Sequence, residues 1–512
     1  VREIAIIRLT DDVDIDAGLA RGLLVKERRI DGAGEGAVRR VQVYGEAVQA
    51  GLLQMIASLV GIVDMLRNVG GPSGMVDLYN NLSDEPDDQE YLRHAILGEV
   101  RSPRDLRVIY DGLGLGDEER AMLAGEFGPA RQWAIKHQTS VGNFFDAEDL
   151  VPVGQAHIMA DTEATGESGV QFLESLAALP EEQRRVRIPT ITDPRGVDFA
   201  AYKRLNQTER MADLEARAIK AFESLSVMMT NTCINYQTIL PPVRNEHLAF
   251  GDTGVVIYSN GVLGARSNFE GGPSALSAGL TGRTPRYGYH LDKNRKGSKH
   301  FIVDVSPVSL NDWGALGGIV GRATNSYWEV PVISGIEAPP TSDQMKHFGA
   351  ALASFGSVAM FHMVGITPEA NSLADAFHGA VPDQAVRISA GEVSAFYKQY
   401  EAKDEKADVV VFAAPQLSLL EMEQVANLAA GRAVHPDTTL IITTSPEIKF
   451  AADRMGLTGK IEKAGGLVLS GVCFYQSYAR EMAEAETDEA VREVIRARSA
   501  FAGSPNNPTA TP

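Results

Sequence analysis

"DVVVFAAP" (residues 408–415), "TLIITTSP" (439–446) and "GLVLSGVCF" (466–474) are three short apolar runs rich in β-branched residues. A helical pattern from Leu417 to Ala430 separates the first two, and a further helix runs to Met455 before the third. Runs this short and this uniformly apolar read as strands buried on both faces. Strands alternating with helices through short turns predict a parallel sheet covered by helices, so the fold class is α/β. Ligands of such sheets sit beyond the carboxyl ends of the strands, and Cys473 lies at the end of the third run.

Upstream, two further runs read as strands: "RVRIPTIT" (185–192) and "GVVIYSN" (254–260). Each leads directly into a polar loop, the usual place for active-site residues. From Asp117 an N-cap candidate and acidic first-turn residues open a helix whose apolar stripe is Met122, Leu123, Phe127 and Ala130. Gly128-Pro129 is expected to split or kink it. Residues 1–110 read as mixed and partly helical, with a flexible turn at Asp31–Ala37, an acidic loop at Asn80–Glu90 and a buried helix at Ala47–Val63. That helix has 17 residues, short of the ~20 that span a bilayer. The tail Gly503–Pro512 reads as disordered.

The 512 residues suggest about three domains. A net charge of −19 argues against nucleic acid or an anionic membrane as the main partner, because both demand a basic surface. A small molecule in a locally basic pocket is the better expectation. Two cysteines make no disulfide framework, and charged residues such as Arg2, Glu3 and Arg8 interrupt any leader-like run. A reducing, cytoplasmic compartment is therefore expected.

The candidate chemistry lies in four stretches. "TNTCINYQTILPPVRNEHLAFGDTG" (230–254) holds Cys233, Glu246, His247 and Asp252. Cys233 and Cys473 are too far apart in sequence for a local zinc motif, and no cysteine-protease signature surrounds them. Two buried thiols, a nucleophile and a pair of metal ligands remain open on the residues alone. Carboxylates and imidazole can ligate iron or move protons, or simply brace a loop. "SNGVLGARSNFEGGPSALSAGLTGRTPRYGYHLDKNR" (259–295) sets Arg266, Arg283 and Arg286 among glycines and prolines. Arginine forks a carboxylate, so this stretch reads as anion binding or as surface arginines on loops. His157, Asp161 and Glu163 in "GQAHIMADTEATGESG" (154–169), and His362, Thr367 and Glu369 in "FGSVAMFHMVGITPEA" (355–370), divide in the same way between a site and a polar core.

The strings "RAMLAGEFGPARQWAI", "VPVGQAHIMADT", "RIPTITDPRGVDF", the whole of Thr230–Leu276, "LTGRTPRYGYHL", "FGAALASFGSVAMFHMVGITPEA" and "VLSGVCFYQ" together resemble aconitase X. The resemblance covers roughly Leu113 to Arg480. It implies a multi-lobed aconitase-like architecture, with a catalytic core over 111–400, a parallel-sheet lobe over 401–485 and a C-terminal helix and tail over 486–512. It also implies a dehydratase. One group in the family acts on cis-3-hydroxy-L-proline and is described with a two-iron, two-sulfur cluster. The other acts on mevalonate 5-phosphate and carries a larger cluster on three cysteines. "CINYQ" with "FGDTG" looks more like the first group.

On this resemblance Cys233 and Cys473 hold the iron, as a small cluster or a mononuclear ion. A third thiolate is missing, because Ala414 and Gln416 stand in the stretch that reads Gly-Cys-Pro-His in three-cysteine members. Glu246, His247 and Asp252 are the expected catalytic residues. Arg266 and Arg283 are expected to grip the substrate carboxylate, with Ser267, Asn268, Thr281, His157 and Thr367 lining the pocket. The family also uses a small swivelling β/α module bearing a catalytic serine. No stretch of residues 1–110 resembles it, so no serine is carried over: either a small swivelling-domain partner subunit supplies the module, or the activity has diverged or been lost. After Cys473 the chain turns into "ETDEAVREVIRARSAF" instead of the family's Thr-Asn-Ser-Ala-Lys segment. The alternatives are a non-catalytic or diverged relative that binds a metabolite, and the large subunit of a phosphomevalonate dehydratase-like heterodimer.

Overall fold

The computed structural model describes residues 113–400, 409–474 and 476. The features expected within residues 1–110, the C-terminal helix and the tail lie outside the described residues.

The first part of the chain runs α1 (Asp117–Ala124), α2 (Pro129–Phe144), β1 (Leu150–Pro152), β2 (Gln155–Ile158), α3 (Thr162–Ala177), α4 (Glu181–Arg184), β3 (Thr190–Thr192), α5 (Glu209–Ser224), β4 (Leu248–Phe250), α6 (Thr253–Ile257), α7 (Gly271–Thr281) and β5 (Arg283–Pro285). Gly128-Pro129 divides α1 from α2 as expected, with the proline in the first helical turn, where its missing N–H costs nothing. β2 is the centre of a parallel sheet in the order β3-β2-β4, and His157 pairs with both Ile191 and Phe250. Helix α7 lies against this sheet so closely that a Cβ on Gly279 would stand 2.8 Å from Thr190 Oγ1. Trp133, Phe172, Leu176, Phe222 and Leu280 from α2, α3, α5 and α7 form the adjoining core.

The second lobe runs β6 (Lys299–Val303), α8 (Leu310–Thr324), β7 (Pro331–Ser334), α9 (Ser342–Gly356), β8 (His362–Met363), α10 (Leu373–Ala376), β9 (Ala385–Ile388) and α11 (Ala390–Lys398). Its sheet is parallel throughout, in the order β8-β7-β6-β9. Capping boxes at Ser309 and Thr341 start α8 and α9. The two helices then meet along glycines, where a Cβ on Gly321 would stand 2.8 Å from the Leu352 carbonyl oxygen.

One strand expectation is overturned. "GVVIYSN" is not extended: it falls in α6 and the π-turn Tyr258–Val262 that continues it. The Asp252 Oδ1 accepts the Val255 N–H at 2.9 Å and nucleates the turn. Val255, Val256 and Ile257 are all fully buried, in one cluster with Phe348 and Phe361. A short run buried on every side has no period to betray it as helix. Likewise only the last three residues of "RVRIPTIT" are strand.

The third lobe runs β10 (Val409–Leu417), α12 (Leu419–Ala429), β11 (Thr439–Thr444), α13 (Pro446–Arg454), α14 (Leu457–Lys463) and β12 (Gly466–Ser470). Its sheet is parallel in the order β10-β11-β12, as the opening runs predict. Helix α14 is an addition to that prediction. One face of the sheet packs on Met422, Ala452, Leu457 and Ile461 of its own helices. The other packs on Ala201 and Leu205 of the first lobe, so the sheet is covered on both sides. The loop after β3 joins the segment after β12 through Arg195 N to Gly471 O at 3.0 Å and Cys473 N to Arg195 O at 3.2 Å. The carboxyl ends of two separate parallel sheets are thereby brought to one place. Among the described residues no helix is long and apolar enough to cross a membrane.

Candidate active site

Cys233 lies between the first lobe's sheet and the third lobe, 8% exposed. Its Sγ accepts the Gln416 main-chain N–H at 3.4 Å, and its own N–H donates to Gln416 Oε1 at 3.3 Å. The Gln416 Nε2 donates to the carbonyls of Asn231 (3.2 Å) and Thr444 (3.3 Å), at the end of β11. His157, fully buried at the end of β2, donates from Nε2 to the Thr232 carbonyl at 2.8 Å. The same nitrogen is 3.8 Å from Asp193 Oδ1. Asp193 follows β3, and its Oδ2 accepts Gln476 Nε2 at 3.0 Å, just past Cys473. Asp252 follows β4.

The electrostatics are those of a negative pocket. Burial pushes the Cys233 thiol well above its ordinary range, and the charges of Asp252, Asp193 and Cys473 push it further. Burial, with Asp252 and Asp161 nearby, also raises the Asp193 carboxyl, against the Gln476 hydrogen bond. Asp252 is raised to about 6 by burial, against the main-chain N–H groups at the start of α6. Behind them Glu215 is raised to about 7 by burial, opposed by its bond from Thr162 and by Arg195. Burial lowers His157 to about 4, so it is neutral. Among the described residues neither Asp193 nor Asp252 has an arginine or lysine ion-pair partner.

Of the residues singled out by sequence, the fold brings together Cys233, Cys473, His157 and Asp252. Asp161 stands near Asp193 beside them, and the following residues lie elsewhere. Glu246, His247 and Arg266 are at the opposite, amino end of β4. Glu246 braces Gln155 (3.1 Å) and the Val243 N–H (3.0 Å). His247 shares a 2.9 Å Nδ1–Nδ1 hydrogen bond with His290, and both are lowered by burial and by nearby arginines. Arg266 pairs with Asp292 at 2.5 Å. Arg283 is held by Glu118 (2.6 Å) and Glu119 (2.8 Å), and Thr281 bonds Gln138 (3.0 Å) beside it. Arg286 pairs with Asp149 at 2.5 Å. Ser267, Asn268 and Thr367 bracket the main chain: Ser267 Oγ accepts the Phe250 N–H, Asn268 Oδ1 the Tyr289 N–H and Thr367 Oγ1 the Met363 N–H. Asp193, Gln416, Gln476 and Glu215 belong to the pocket and were not singled out. Asp193 alone carried a signal, as the first charged residue beyond a strand.

The comparisons with known proteins bear on this arrangement. Family models for the first, second and third aconitase X domains match residues 112–293, 298–398 and 407–492. The chain belongs to the aconitase X family. A phosphomevalonate dehydratase large subunit from Methanothermobacter thermautotrophicus is 34% identical over 359 residues, covering 69% of this chain and 86% of that one. A cis-3-hydroxy-L-proline dehydratase from Pseudomonas aeruginosa is 30% identical over 361 residues, covering 70% of this chain and 61% of that one. The crystal structure of Thermococcus kodakaraensis aconitase X in its holo-form superposes with a TM-score of 0.63 at 28% identity, covering 72% of this chain and 90% of that one. The two curated relatives are named as dehydratases, and the enzyme class they support for this chain is a lyase.

An aconitase-like family raises the question of iron. The pocket offers two thiols and the Asp193 carboxylate, whose Oδ1 is buried without a hydrogen-bond partner. Crowded acidic groups with no cationic ion-pair partner among the described residues suit a cation, which would favour the ionised forms that burial now opposes. The two thiols would supply only part of a small iron centre's ligands, and the rest would come from outside the chain. A cluster needing three thiolates does not fit, because the chain has two cysteines. Among the described residues no group of three or more His, Cys, Asp and Glu side chains is gathered as for a metal ion.

Proposed function

We propose that this chain dehydrates a small β-hydroxy acid resembling cis-3-hydroxy-L-proline, at the pocket lined by Cys233, Cys473, Asp193 and Asp252. The observation that carries this reading is the convergence of Asp193, Asp252 and Cys473, each just beyond the carboxyl end of a separate parallel strand, on the loop thiol of Cys233. Elimination needs a base for the proton α to the substrate carboxylate and a means of releasing the hydroxyl. Asp252, with a carboxyl near 6 and a side chain partly open to solvent, is the candidate base. Asp193 and His157 hold the floor, with His157 fixing the Thr232 carbonyl beside Cys233. Cys233 and Cys473 would hold iron, whose Lewis acidity when bound assists departure of the hydroxyl. The residues "CINYQ" and "FGDTG" favour the hydroxyproline group as substrate class.

A second reading is a large subunit that works with a small partner on mevalonate 5-phosphate. Its support is the 34% identity and 86% span of such a large subunit. Anaerobic purification, iron and sulfide analysis, and assays on both substrates separate the two. Turnover of cis-3-hydroxy-L-proline, by the chain alone or with an added small subunit, supports the first. Turnover of mevalonate 5-phosphate only with an added small subunit supports the second. Iron-free protein inactive on both, with and without the partner, defeats both.

A further inference from the structure

The pocket draws residues from the first and third lobes, and the second lobe also reaches it through one buried cation. Lys346, on α9, is 1% exposed. Its Nζ donates to the Gln416 main-chain carbonyl at 3.1 Å, pairs with Glu421 and lies 3.7 Å from Asp343. Glu421 also accepts His347 Nε2 at 2.5 Å and caps α12 through Ser418. Ser418 Oγ in turn donates to Asp343 at 2.8 Å. Burial pushes the Glu421 carboxyl up, but Lys346 and His347 outweigh it and hold it at about 2. A buried ion pair is weak evidence for stability, since desolvation can exceed the attraction. This one fixes a single main-chain unit, Gln416, whose carbonyl faces Lys346 and whose N–H and side chain hold Cys233 from both sides.

We propose that Lys346 is a positioning residue for Cys233, acting through the main chain of Gln416. The second lobe thereby sets the placement of a thiol contributed by the first, across a residue of the third. The inference rests on the reading of Cys233 as part of the active site, but its primary test needs no turnover.

The test follows alkylation of Cys233 by iodoacetamide in the full-length protein by mass spectrometry, with Cys473 in the same molecules as reference and thermal melts as a check of folding. Four variants are compared with wild type: Gln416→Ala, Lys346→Met, the apolar pair Lys346→Met/Glu421→Leu, and the neutral polar pair Lys346→Gln/Glu421→Gln. Loss of the hydrogen-bonded hold on the thiol should raise the Cys233:Cys473 ratio roughly five- to tenfold in the first three variants. The Gln/Gln pair keeps a donor toward Gln416 and should stay near wild type. The apolar pair removes both members of the Lys346–Glu421 pair and leaves Asp343 bonded by Ser418 and Gln237, so it decides the matter if Lys346→Met does not fold. A wild-type ratio in the apolar pair, or equal ratios in the two pairs, folded or not, overturns the proposal. Turnover gives a second readout: a displaced thiol lowers kcat on cis-3-hydroxy-L-proline by about 10²-fold with KM little changed. If the ratio moves while even wild type is inactive, the substrate reading fails and the positioning role stands. If wild type is active and the ratio does not move, only the positioning role fails.

Discussion

The two ends of strand β4 carry the same kinds of side chain to opposite effect. At its amino end Arg266, Asp292, Arg295 and Glu369 are matched, cation to carboxylate, with Arg266–Asp292 and Arg295–Glu369 both at 2.5 Å, and His247 bonds His290. At its carboxyl end Asp252 faces Asp193 and Cys233 and has no cationic ion-pair partner among the described residues. Matched charges are content as they stand. Crowded like charges persist only if the surrounding fold holds them there, and they shift the protonation of every neighbour. The contrast separates an electrostatic brace from a site, although both looked alike in the sequence.

Substitutions at the two ends should therefore diverge. The largest effect is expected for Cys233→Ser and Asp252→Asn. Each should lower kcat by about 10²–10⁴-fold, with Tm little changed, as read by steady-state assay beside a thermal melt. Loss of activity on Arg266→Met as severe as that on Asp252→Asn would erase the distinction. Next comes Arg283→Met, which leaves the buried Glu119 without its arginine while Glu118 keeps Arg187. It should cost on the order of 1–3 kcal/mol in urea unfolding and change kcat by less than roughly threefold.

A pH effect of similar size tests burial itself. Glu270 is 3% exposed, bonded by Thr284 at 2.9 Å, and raised by burial from 4.5 to about 7. Its folded value lies above its unfolded one, so its neutral form favours the fold. That contribution is complete below about 4.5 and is lost as pH rises through about 7. Glu270→Gln should thus gain on wild type between pH 5 and 8 by on the order of 2 kcal/mol, measured by denaturant unfolding at both values. The smallest effect belongs to Arg387, paired with Asp304 at 2.7 Å on the surface with 63% of its side chain exposed. Arg387→Ala should stay within about 0.5 kcal/mol of wild type.

Legibility in the sequence followed period and punctuation. The third lobe's strands were readable because each apolar run is bounded by turns. The α1–α2 break was readable because proline cannot sit in a helix interior. The α6 segment was not, since Val255 to Ile257 are buried on all sides and any such run looks like a strand. Among candidate site residues, Cys233, Cys473 and His157 stood out as rare types beside polar loops. Gln416 and Lys346 did not, because a glutamine in an apolar run and a lysine on a helix carry no mark of what they touch.

By itself the amino-acid sequence determined that this is an α/β member of the aconitase X family with two thiols and no third. Those properties are written in local periodicity and in residue identity. Only the tertiary structure decided which arginines are already committed to carboxylates, and which carboxylates meet the thiols. Pairing of charges depends on distances across strands and lobes far apart in the chain, and no spacing along the chain encodes them.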